Sequence, residues 1–231
     1  IDNMEPEAFG GMNAGHVENL ELSVMSQFTD EQINAMTGDA MGGMTAGHIE
    51  AMQSEATAGF TADHMQALSS DAAAGFNGAH IDNMEPEAFG GMNAGHVENL
   101  ELSVMSQFTD EQINAMTGDA MGGMTAGHIE AMQSEATAGF TADHMLALSS
   151  EAVGALFTSA NAGYIDTTAA VPLIHSMDTD AAATLVTNTF TSANLTPVNT
   201  LITNPDATPA DMSSLSNDSM SEVTAVHIAT I

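Results

Sequence analysis

No lysine and no arginine occur anywhere in this sequence, while aspartate and glutamate together number 31, so the formal charge is −31. Histidine is the only side chain able to pair with those acids, so salt bridges cannot organise the fold. Nucleic acid is excluded as a partner, because binding a phosphate backbone rests on Lys and Arg. The same absence argues against an anionic membrane surface. Cysteine is absent too. That removes disulfides, thiolate metal sites and haem attachment through Cys, and it fits an exported bacterial protein. No apolar run reaches the roughly 18 residues that cross a bilayer, so membrane insertion is not expected. Tryptophan is missing and tyrosine occurs once, against 19 methionines, which implies a soft core of adaptable thioethers. No GxSxG, Walker, GxGxxG or HExxH motif is present, and no unique polar cluster stands out, so no enzyme is expected. No signal peptide is visible and Ile1 falls inside a repeat unit, so the sequence is expected to be a fragment or a processed product.

What is present is an eight-residue repeat. An apolar head, always Met, Leu or Phe, falls at Met4, Met12, Leu20, Phe28 and every eighth residue to Leu156. In Phe28 to Met52 the heads are followed by Thr29, Thr37 and Thr45, and a second apolar residue stands five after each head, at Ile33, Met41 and Ile49. This is the grammar of a helix start. The head is N′, Thr is the N-cap, and the residue four after the head is N3. Thr29 with Gln32 makes a capping box, and Phe28 with Ile33 makes a hydrophobic staple. Asp30 and Glu31 then sit in the first turn, where the helix dipole favours acids. Each new start signal arrives before the helix can lengthen, so the spacing predicts many helices of one or two turns. Such helices are unstable alone and need stacked neighbours, as in a solenoid. A single long amphipathic helix does not fit, because spacings of five and three leave no straight stripe. Gly42-Gly43 and Gly122-Gly123 would also weaken it. A β-solenoid is the competing architecture, although Ala, Glu, Asp and Met are poor strand formers.

Two longer periods lie over the first. Alternate octads carry a polar N3, at His16, Gln32, His48, His64, His80, His96, Gln112, His128 and His144. The octads between carry Ala or Val there and often end in Gly, as at Gly43, Gly59 and Gly75, which suits a helix end. Pro6 and Pro86 take N1 of this second type. This alternation predicts a sixteen-residue coil made of one regular helix and one tighter turn. The third period is eighty: residues 1–65 recur identically as 81–145. The organisation expected is therefore a regular octapeptide solenoid over residues 1–156, an irregular Thr-rich segment over 157–206, and resumed octads over 207–231.

Two sets of residues are candidates for chemistry. The first is a histidine ladder at one repeat position (His16, His48, His64, His80). Stacked helices about 8–10 Å apart are too far apart for neighbouring histidines to share a zinc with bonds of about 2 Å, so the ladder reads as capping. The second is the recurrent acids Glu7, Glu31, Asp39, Glu55, Asp63 and Asp71, candidates for weak binding of Ca²⁺ or other hard cations through oxygen. No EF-hand loop or GGxGxD nonapeptide supports a dedicated site. His175 lies outside the pattern, and Asn194 and Asn217 begin sequons.

The unit FTDEQINAMT, Phe28 to Thr37, resembles the octapeptide arrays of form L-T-x-x-Q-[IV]-x-A found in very large bacterial surface and exported proteins. The resemblance covers residues 1–156 and returns at 207–231, with His often replacing Gln and Met replacing Leu. It implies an adhesin or surface structural protein and carries over no catalytic residue. The combined expectation is an all-α solenoid of very short helices, extracellular or on a cell surface. It would serve as a segment or subunit of a self-assembling filament or surface layer whose main partner is another copy of itself. An adhesin stalk and an acidic module for divalent cations are the alternatives.

Overall fold

The computed structural model describes residues 4–158, 160, 161 and 163–165. The rest of the Thr-rich segment, His175, both sequons and the octads that resume at Ala207 lie outside the described residues. Within these bounds the chain is an all-α solenoid of short helices. No strand occurs among the described residues, which sets the β-solenoid aside.

Every octad makes one helix of four to seven residues, and its N-cap is extended, with ψ between 140° and 173°. The cap residue influences the kind of helix. Thr, Ser or Asn at the cap accepts the N3 amide, and an α-helix follows, as at Asp30–Asn34, Gly38–Met41 and Gly78–Asn83. Where Glu or Gln occupies the cap it makes no such bond. The turn then usually tightens to 3-10, as in Pro6–Gly11, Ser54–Gly59, Pro86–Gly91 and Leu102–Gln107. Tightening to i→i+3 bonds is one way to satisfy first-turn groups that lack a side-chain partner. Of the octads expected to be tight turns, those beginning with Glu or Gln mostly are, whereas those capped by Thr37, Ser69, Thr117 or Ser149 are α-helical.

Each octad sends two side chains inward. The head is buried from Phe28 onward, and the N4 residue five after it is buried in every octad, for example Ile33, Met41, Ile49, Met65 and Phe89. Phe rings meet edge to face where heads and N4 residues converge, with Phe9 5.2 Å from Phe28 and Phe89 5.3 Å from Phe108. Thr57 and Thr137 are N4 residues with a hydroxyl. Thr57 donates to the Ser54 and His80 carbonyls, and Thr137 donates to the Ser134 carbonyl.

The coil is 24 residues, not the sixteen expected from the alternation. Ala62–Ala67 packs between Gly38–Met41 and Pro86–Gly91, and Gly78–Asn83 packs between Ser54–Gly59 and Leu102–Gln107. In each case the neighbour is three octads away along the chain, so one coil has three helical edges. The period of sixteen is real, but it records side-chain type and not the length of a turn. With an odd number of octads per coil, each octad stacks on one of the other type. Every edge of the solenoid therefore alternates.

That alternation creates two kinds of contact. In the first, the Gly that ends a small-N3 octad lies against the backbone of the polar octad below. A Cβ on Gly43, Gly59, Gly75, Gly91, Gly123 or Gly139 would collide with the carbonyl of Ala14, Asp30, Ala46, Ala62, Ala94 or Asp110 respectively. Only a residue without a side chain permits this approach. Asn34 and Asn114 brace the same contact by donating to the Gly59 and Gly139 carbonyls. The second kind of contact carries the polar N3 side chains.

After Ser150–Leu156 the octad grammar ends. Phe157 occupies the place where a cap would follow the head Leu156, and the helix runs on through that head. The buried Asn161 then donates to the Ala155 and Leu156 carbonyls, closing the helix end.

Candidate functional site

Among the described residues, the capping boxes predicted at N3 are all formed. In Ala46–Ala51 the Thr45 hydroxyl accepts the His48 amide at 3.2 Å, and His48 Nδ1 accepts the Thr45 amide at 3.2 Å. The same reciprocal pair recurs at His16, His64, His80, His96, His128 and His144.

The box uses only one ring nitrogen. The other, Nε2, faces the head carbonyl of the octad below, 28 residues earlier in the chain. His64 reaches Met36 at 2.8 Å, His96 reaches Leu68 at 2.9 Å and His144 reaches Met116 at 2.8 Å. His48, His80 and His128 reach Leu20, Met52 and Leu100. Because Nδ1 accepts an amide proton, it carries none, so the neutral ring must hold its hydrogen on Nε2 and donate it. Each ring is thereby a staple from a helix start in one coil to a helix end in the previous one. It is also buried, and His64, His80 and His144 have an edge-on Phe ring about 6 Å away.

Glutamine makes the same two bonds. Gln32 Oε1 accepts the Thr29 amide while its Nε2 donates to the Met4 carbonyl at 3.0 Å. Gln112 likewise accepts from Thr109 and donates to Met84 and Ile81, both at 2.9 Å. The position therefore requires an acceptor near the backbone and a donor beyond it. Glutamate, the usual partner in a capping box, has no such donor when ionised. That explains why a chain rich in Glu never places one at N3 of a polar octad. The capping role was readable from sequence. The inter-coil bond was not, although the restriction to His and Gln was its one visible trace.

Burial holds His80, His128 and His144 below the ordinary imidazole range, against the opposing effect of their bonds to backbone carbonyls. His16, in the first described coil, is exposed and makes only the box.

The candidate acids take no part in this. Glu7, Glu31, Asp39, Glu55, Asp63 and Asp71 are all exposed, as is every other Asp and Glu among the described residues. Glu7, Asp30 and Glu31 border one open groove of about 380 Å³ with Asn34 and Gly59. Glu31 is held below the usual carboxylate range, first by hydrogen bonding to its own backbone and then by Asp30 and Thr29. No group of three or more His, Asp and Glu side chains is arranged to hold a metal among the described residues. The histidines do not converge either, since each is committed to its own helix start. No described helix is long and apolar enough to cross a membrane.

The chain matches no protein-family model, no curated protein and no solved structure in the comparisons made.

Proposed function

We propose that this chain is a non-enzymatic structural segment of an extracellular or cell-surface assembly, built to supply length and able to associate with further copies of itself. The observation that carries the reading is where the buried polar groups go. Six histidines and two glutamines inside the solenoid each bind a carbonyl of the coil below, so these internal polar groups join one coil to the next. The coil contacts repeat without a closing surface between them, so one coil is a template for the next. Negative charge on all sides opposes lateral clumping unless cations screen it.

Electron microscopy and sedimentation of the purified chain, with and without millimolar Ca²⁺, test the reading. Filaments whose axial repeat equals whole 24-residue coils are the expected result. Separate short rods at high concentration would reject self-assembly. They would favour an adhesin stalk, a reading supported by the loss of the octad pattern in the sequence after Leu156. Ca²⁺-dependent stabilisation of those rods without filaments would instead favour a cation-binding module.

A further inference from the structure

We infer that the stapled histidines make the solenoid acid-labile, so that mild acidification separates coil from coil along its whole length. The geometry carries this. Each of His48, His64, His80, His96, His128 and His144 sits between an amide that must be accepted by Nδ1 and a carbonyl that must be met by Nε2. A protonated ring has a hydrogen on both nitrogens. Its Nδ1–H would then point at the N-cap N–H, two donors facing one another in a dry interior. The box breaks, and the ring can stay in place only as a buried cation whose bonds to backbone carbonyls do not offset the loss of water around it. The unfolded chain accepts the same proton in water at no such cost.

The sign follows from linkage. His80, His128 and His144 have folded values lowered by burial, so the unfolded state binds more protons. Their contribution to stability is complete above the ordinary imidazole value of about 6.5 and is lost as the pH falls through and below it. The charged groups nearby do not reverse this. Asp82, Glu130 and Asp143 lie on the same helices as these three, and Glu55, Glu151 and Asp119 lie on helices packed against them. All are exposed. For these three, only Asp143 acts against burial, raising His144, and its effect is smaller than that of burial. For His48, His64 and His96 the acids on their own helices are Glu50, Asp63 and Glu98. Those on the packed helices are Asp71, Asp39, Glu87 and Asp119, again all exposed. Because a solenoid is held by nearest-neighbour contacts, losses at successive coils add along the array.

Gln32 and Gln112 supply the control, since glutamine forms both bonds and does not titrate. The experiment compares thermal unfolding of the full chain with a variant carrying His→Gln at 48, 64, 80, 96, 128 and 144, from pH 8 to pH 5 at constant ionic strength. The wild type should lose melting temperature steeply below pH 6.5, and the variant should lose less than half as much. Parallel curves would overturn the inference. A second readout needs no variant. In ¹⁵N-labelled wild type, the six rings should show the Nε2–H tautomer at pH 7.5. Their protonation on acidification should coincide with loss of the helical amide signals. Rings that charge while the amides stay in place would equally overturn it.

Discussion

A buried hydrogen bond adds little net free energy, but removing one partner leaves a desolvated group and costs about 1–3 kcal/mol. The N3 position doubles that exposure, because each side chain there serves an amide of its own helix and a carbonyl of another coil. His64 is a suitable test, since its Nε2–Met36 bond is short and the ring is buried. His64→Gln should be nearly neutral at pH 7, because Gln32 and Gln112 show the bond pair within this same chain. His64→Glu should lose about 1–3 kcal/mol, since it keeps the box but turns a carboxylate toward the Met36 carbonyl. Chemical denaturation of both variants at pH 7 and pH 8 checks this. Equal stability for the two would mean that the inter-coil bond contributes nothing. The capping half of this position was legible from Thr29 and Gln32 alone, because its partners are three residues apart. The other half was not, because its partner is 28 residues away and only the correct coil length brings it near.

Helices of four to seven residues gain little from propensity, so their neighbours decide their stability. One sequence element shows this directly. Leu22–Met25, in the first described coil, is α-helical, while the identical residues farther along form the 3-10 helix Leu102–Gln107. The environment, not the local sequence, separates them. The same element contains a matched exchange. Where the other small-N3 octads of the interior array end in Gly against a bulkier residue below, Gln107 ends this octad and Gly78 lies below it. A Cβ on Gly78 would press on the Gln107 side chain, a softer neighbour than the backbone carbonyl that Gly59 meets. Gly59→Ala is therefore expected to destabilise more than Gly78→Ala, by about 1–3 kcal/mol from overpacking. The double variant Gly78→Ala with Gln107→Gly recreates the common pair and should recover the stability that Gly78→Ala loses. A double-mutant cycle measures this coupling, and additive effects would show that the two positions do not share a contact. The glycines were readable as lying at helix ends, but not as capping residues, since no described Gly has a positive φ. Their reason, close approach of two coils, was not, because it depends on which octads stack.

At the scale of the whole array, three numbers interact: eight residues per helix, sixteen per pair of octad types and 24 per coil. The duplication of eighty residues fits them in a particular way. It adds ten octads, an even number, so type alternation survives. Ten is not a multiple of three, so each copy lies one edge around from its original. The same residues thus serve on different edges of one solenoid, which is possible only if the edges are equivalent. The eight, the sixteen and the eighty are legible in the sequence, because each is a repetition of residue types. The 24 is not legible there, because the shorter period of eight masks it and unlike octads are what stack. The distinction can be tested by deletion. Removing residues 44–59 takes out two octads, less than a coil, and joins Gly43 to Phe60 with a small-N3 octad still followed by a polar one. Glycines still meet backbone and His64 still finds a head carbonyl below it. Removing residues 44–67 takes out a whole coil, yet it places like octads on one another across the junction. The upper polar octads then lose their partner carbonyls, and the glycine contacts fall out of register. The shorter deletion should fold cooperatively with a melting temperature within a few degrees of the parent. The longer should lose stability or split into two transitions at the junction, visible by circular dichroism and hydrogen exchange. If the whole-coil deletion were the better tolerated of the two, coil length rather than alternation would govern the array, and the stapling scheme would fail.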